Sequence, residues 1–182
     1  MLTYGLIVEG VYDEAALVEL IQKCLQGNID VVARPCGGSL MNKFPGFLEE
    51  FRYVKQGTHV DKAMVVRDAD AKDPNEVLQR MAAKIVGRTY PFPVKFVAIV
   101  RELETWLLAD REALSAVTGR MVPEIDEPLE GILDPKARLQ RMLSGIPYTQ
   151  EIARKIAAAA NLGRIEYRCP SFRSFLQLVR DC

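Results

Sequence analysis

The stretch YGLIVEG, residues 4–10, decides how this chain is read. An apolar run, Tyr4–Val8, ends on Glu9, and Asp13 follows four residues later. Gly10 lets the backbone turn tightly behind that carboxylate and lets a ligand approach the main chain. The pattern recurs twice. In AMVVRDAD (63–70) the run Ala63–Val66 leads into Asp68 and Asp70, and in KFVAIVRELETW (95–106) the run Phe96–Val100 leads into Glu102 and Glu104. If these runs are strands of one parallel sheet, their ends share one edge, which is where open α/β sheets bind ligands. Carboxylates gathered there repel one another unless something positive lies between them. A hard divalent cation, Mg²⁺ or Mn²⁺, is the usual counter-charge for oxygen-only donors.

The surrounding sequence supports that sheet. Asp13–Leu25 carries Ala16, Leu17, Leu20 and Ile21 at helical spacing, Asp30–Ala33 reads as a strand, and Met41–Val54 as an amphipathic helix. Ala63–Arg67 is the third strand, Asn75–Val86 a helix opened by Pro74, and Val94–Val100 the fourth strand. Such alternation predicts parallel strands joined by helical crossovers. After residue 101 only helical patterns remain: Glu104–Leu108, Arg111–Val117, a helix from Asp134-Pro135 to Ser144, Gln150–Ala160, and a last one from Pro170 to Arg180. Pro123–Pro128 reads as a loop, and Asn161-Leu162-Gly163 as a helix stop. The expected fold is α/β, a Rossmannoid parallel sheet of about four strands flanked by helices, with a C-terminal helical subdomain. Residues 1–110 form the core and 111–182 an extension too poor in apolar residues to fold alone, so the two are expected to make one unit.

Composition narrows the chemistry. Hydrophobic residues make up 49% and charged residues 26%, the balance of an ordinary globular protein. No apolar run approaches the roughly 20 residues of a membrane span. The opening MLTYGLIVEGVYDE lacks a basic n-region, which predicts no signal peptide and a cytoplasmic location. Cys24, Cys36, Cys169 and Cys182 are irregularly spaced and His59 is the lone histidine, which argues against zinc, a disulfide framework and histidine-based nucleophilic catalysis. The 24 basic and 24 acidic residues cancel. They are unevenly spread: Glu124–Asp134 holds five carboxylates and no base, whereas Arg154, Lys155, Arg164, Arg168, Arg173 and Arg180 make the end of the chain basic. Neutrality weakens a nucleic-acid reading without removing it.

The candidate site residues follow from position. Glu9 stands at a strand end. Asp13 has two readings, as the N-cap of the first helix or as a ligand facing the same edge. Asp68 and Asp70, as Asp-x-Asp on an extended segment, put two carboxylates on one side, the spacing for sharing a cation or a metal-bound water. Glu102 and Glu104 also suit a helix N-terminus, where the dipole favours negative charge. Trp106 reads as a packing residue. Gly37-Gly38-Ser39 with Lys43 can present amides and a charge to phosphate, so Gly38, Ser39 and Lys43 are candidate phosphate-binding residues, although the P-loop pattern is absent.

At Glu9-Gly10-x-x-Asp13 together with Asp68-Ala69-Asp70 the chain resembles a Toprim domain, the catalytic module of topoisomerases, bacterial primases and OLD-type nucleases. More closely it resembles a family of small bacterial Toprim-like proteins of unknown function, of the domain-of-unknown-function 4276 type. The residues carrying that likeness are Glu104-Thr105-Trp106-Leu107-Leu108-Ala109-Asp110 and Cys169–Arg173. The resemblance implies Glu9 as general acid/base or metal ligand, Asp68 and Asp70 as Mg²⁺ ligands, and Glu104 as a further ligand. It implies a metal-dependent nuclease or related phosphoryl-transfer protein acting on nucleic acid, in a phage-defence or DNA-repair setting, with the C-terminal arginines holding the backbone. The alternative is a conditionally active or non-catalytic module that works beside an ATPase partner.

Overall fold

The computed structural model describes residues 1–54 and 56–181. Among them four strands alternate with three helices: β1 (Leu2–Val8), α1 (Val11–Cys24), β2 (Ile29–Pro35), α2 (Leu40–Glu50), β3 (Lys62–Asp68), α3 (Pro74–Ala83) and β4 (Val94–Ile99). Six further helices follow: α4 (Glu104–Leu107), α5 (Arg111–Thr118), α6 (Pro135–Leu143), α7 (Gln150–Ala159), α8 (Leu162–Arg168) and α9 (Pro170–Arg180). The strands form one parallel sheet in the order β2-β1-β3-β4. The fold is therefore α/β, a four-stranded parallel sheet flanked by helices with a helical C-terminal region. Among the described residues no helix is long and apolar enough to cross a membrane.

Period-two alternation distributes β1 between two cores. Leu6 and Val8 join Met64, Val66, Val97 and Ile99 on the face covered by α1 and the C-terminal helices. Ile7 joins Ala63 and Val65 on the face covered by α2 and α3, with Phe44, Leu48, Val77 and Met81. Strands buried on both faces read as continuous apolar runs, which is why these were visible in the sequence. The first core reaches Leu139, Ala153, Ile156, Phe172 and Val179, so the C-terminal helices share one hydrophobic interior with the sheet. Trp106 is fully buried, packs against Phe172 and Phe175 with centroids 4.9 and 5.2 Å away, and donates Nε1–H to Ser171 Oγ at 3.0 Å.

Several local expectations need correction. Helix α1 starts two residues early, with Gly10 as its N-cap, and Asp13 sits one turn in, accepting the Gly10 N–H at 3.0 Å. Asn161-Leu162-Gly163 is not simply a stop. Asn161 is an N-cap whose side chain accepts the Arg164 N–H at 3.2 Å, and a helix, α8, begins directly behind it. Helix α2 ends at Glu50 rather than Val54. The thiols of Cys24, Cys36 and Cys169 are free, and burial pushes Cys36 up to about 11 and Cys169 up to about 12. Cys182 lies outside the described residues.

Candidate functional site

The ends of β1 and β3 and the turn after β4 open onto a cleft of about 330 Å³. Five carboxylates line it: Glu9, Asp13, Asp68, Glu102 and Glu104. Gly10, Tyr12, Gly38 and Lys136 complete the wall. Glu9 follows β1, Asp68 is the last residue of β3, and Asp13 points back from the first turn of α1. Glu104 opens α4 and is only 6% exposed. The tightness of the turn after β4 brings it there. Arg101 takes φ +63°, and its carbonyl accepts the Asp70 N–H at 2.8 Å.

Crowding sets the protonation. Asp68 is held well above the usual carboxylate range, first by burial and then by Asp13, Glu104, Glu9 and Glu102. Burial raises Asp13 to about 7, with Glu104 and Glu9 adding to it, while the Gly10 N–H and Lys136 pull the other way. Glu102 is likewise raised, by burial and then by Glu104. Its Oε2 is buried without a hydrogen-bond partner. Two cations offset the cluster. Lys136 arrives from the start of α6, with its ammonium 5.4 Å from the Tyr12 ring centre. Arg67 Nε donates to Glu9 Oε1 at 3.1 Å, because the register that sets Ile7 against Val65 brings residues 9 and 67 level.

Tyr148 packs against Tyr12, outside the cleft lining. Its ring lies 5.2 Å from that of Tyr12, and its hydroxyl faces Glu104 without a well-aligned hydrogen bond. Burial and then the Glu104 charge push its pKa above the ordinary tyrosine value, so the hydroxyl keeps its proton. Tyr12, Arg67, Lys136 and Tyr148 were not expected from the sequence. No local motif marks them, since their roles depend on distant chain segments meeting at one edge. Glu102 carried a signal, the acidic strand end, but read as a helix-end charge.

Other expected site residues fall elsewhere. Asp70 does not share a side with Asp68: its φ of +53° ends the extended segment, and it is exposed outside the cleft lining. It still acts at a distance, raising Glu102. Of the phosphate candidates, Gly38 borders the cleft. The Gly37 N–H, however, is spent on the Glu9 carbonyl at 2.9 Å, and Lys43 Nζ on the Cys36 carbonyl at 2.6 Å. Ser39, at φ +57°, caps α2 without a side-chain bond. Asp110 caps α5 and binds Asn161 N–H at 2.8 Å and Arg164 at 2.9 Å, which outweighs burial and holds it below the usual range. It is a structural carboxylate.

The donor chemistry fits a hard cation. The lining offers oxygen donors and no thiol or imidazole, it sets five carboxylates against one lysine, and one buried carboxylate oxygen has no partner. Among the described residues no three His, Cys, Asp or Glu side chains stand close enough to form a ready-made metal site. A cation would therefore have to draw these carboxylates inward. Searches of the curated proteins and of the solved structures found no match. The model of the family described as "Domain of unknown function (DUF4276)" matches residues 8–180, nearly the full length, and the chain belongs to that family.

Proposed function

We propose that this chain is a Toprim-like, Mg²⁺- or Mn²⁺-dependent nuclease or related phosphoryl-transfer protein. One observation carries the reading: carboxylates from the ends of β1 and β3 and the turn after β4 line a single cleft. Asp68, Glu104 and Asp13 would hold the cation, with Glu102 adjoining them. Asp70 is left out of that set because it lies outside the lining. A bound divalent ion would supply a Lewis acid for the phosphate and a more acidic water. Glu9 keeps 35% side-chain exposure and its charge is balanced by Arg67, so it suits proton transfer to or from the attacking or leaving oxygen. Lys136 brings a positive charge to the same cleft, where it would help neutralise a scissile phosphate.

The test is cleavage of labelled DNA and RNA, single- and double-stranded, with and without added Mn²⁺. Cleavage that requires metal and disappears in Glu9→Gln and Asp68→Asn proteins supports the reading. Equal cleavage by both variants would identify a contaminant and sink it.

A second reading is a conditionally active module that works beside an ATPase. Two observations favour it. Glu9 is already engaged by Arg67, and among the described residues no three carboxylates stand at ligand spacing. It predicts an inert isolated protein that forms a stable complex with an ATPase encoded nearby, and robust cleavage by the protein alone would exclude it.

A further inference from the structure

Four of the arginines expected to hold a nucleic-acid backbone are already paired. Arg154 pairs with Glu19 and Glu151 at 3.0 and 2.7 Å, and Arg164 with Asp110 and Glu112 at 2.9 and 2.7 Å. Arg168 pairs with Glu124 at 2.9 Å and Arg173 with Glu166 at 3.7 Å. A guanidinium already matched to a carboxylate gains little by exchanging it for a phosphate. These four therefore leave the region little positive charge to spare.

A different surface has the needed charge. A groove of about 450 Å³ is lined by Arg120, Arg138 and Arg141 and by no carboxylate. Arg138 is paired with Glu127, which lies outside the lining, and Arg120 donates to the neutral Met142 carbonyl at 2.9 Å. Arg141 makes no ion pair among the described residues. Arg138 is thus matched as the C-terminal arginines are, and the groove's spare positive charge is that of Arg120 and Arg141. Met121, 91% exposed, adds an apolar surface beside the arginines against which the face of a base can lie.

The groove and the acidic cleft share a helix. Lys136, in the first turn of α6, lines the cleft, while Arg138 and Arg141 on the same helix line the groove. At about 100° per residue, Arg138 and Arg141 lie about 140–160° around α6 from Lys136, so the groove and the cleft open on opposite flanks of this helix. We propose that this groove binds a nucleic-acid strand by its phosphates, the strand crossing α6 to reach the acidic cleft on its other flank. The inference rests on the phosphoryl-transfer reading of that cleft. It supplies what the cleft lacks, since five carboxylates repel a polyanion unless cations nearby hold it.

The experiment measures binding apart from cleavage. Anisotropy of labelled single-stranded DNA, single-stranded RNA and duplex DNA is recorded in EDTA over a salt series, for wild type, the Arg120→Gln/Arg141→Gln double variant and an Arg154→Gln control. The double variant is expected to bind tenfold or more weakly at low salt, as the removal of roughly two phosphate-binding charges would account for. The slope of log affinity against log salt should fall by about 0.7 for each single-strand phosphate that is no longer neutralised. Arg154→Gln should bind as wild type does. Circular dichroism melts confirm that each variant folds. If wild type cleaves and the double variant binds with unchanged affinity and slope, the groove assignment is wrong while the nuclease reading stands. If wild type neither binds nor cleaves any of the three, both fall. Binding of a polyglutamate peptide in place of nucleic acid would overturn the proposal in favour of an acidic protein partner.

Discussion

The Arg67 guanidinium donates through Nε to Glu9 Oε1 at 3.1 Å, joining the end of β3 to the end of β1 beside the acidic cleft. Arg67 is the more buried partner, at 19% side-chain exposure against 35% for Glu9. The pair thus lies between a surface bridge, which contributes little, and a buried one, whose rupture is costly. Replacing Arg67 by Met leaves Glu9 facing the other cleft carboxylates without its guanidinium. The expected loss is about 1–2 kcal/mol at neutral pH, discounted for the exposure of Glu9. It should shrink in acid, where the carboxylates take up protons, and Arg67→Lys should recover part of it. Urea denaturation at both pH values measures this, and an identical loss at the two would rule out the electrostatic account.

The crowded carboxylates give the metal-free protein an unusual pH dependence. Asp13 is raised from 3.8 to about 7, so between those values the fold binds more protons than the unfolded chain does. Stability from this group is full below the unfolded value and is lost as pH rises through the folded one. Asp68 acts in the same direction. In EDTA the midpoint of thermal unfolding should therefore fall between about pH 5 and about pH 7.5. Asp68→Asn should flatten that fall and raise Tm at the higher pH by roughly 3–6 °C, the size of roughly 1–2 kcal/mol. Excess Mn²⁺ should stabilise wild type most at the higher pH, since a cation competes with protons for the same oxygens. A Tm that climbs steadily with pH in EDTA would show that burial and mutual repulsion do not govern these carboxylates.

Gly5 tests the fold independently of the site. It lies in β1, and a Cβ built there would stand 2.4 Å from Cδ2 and Cε2 of the Phe51 ring, which is fully buried. Neither atom can retreat cheaply inside a packed core. Gly5→Ala should cost about 1–3 kcal/mol by overpacking. In a Phe51→Leu background the same substitution should cost clearly less, because contacting residues couple. Equal costs in the two backgrounds would show that the ring is not the obstacle.

What the sequence determined by itself is the sheet and the acidic strand ends. Strands buried on both faces must be apolar throughout, so Tyr4–Val8, Ala63–Val66 and Phe96–Val100 announced themselves, and with them the positions of Glu9, Asp68 and Glu104. Tertiary structure decided which carboxylates meet. Asp70 and Asp68 looked equivalent because spacing carries no record of backbone φ. A left-handed turn clasped to Arg101 moves Asp70 out of the cleft lining. Glu102 looked like a helix-end charge, yet one of its oxygens is buried without a partner. Lys136, Tyr148 and Arg67 could not be foreseen, because their positions follow from strand register and from α6 and the segment after it folding back over the sheet edge. Local sequence specifies where a chain turns and which way it is apolar. Which charges end up facing one another is fixed only when the helices pack.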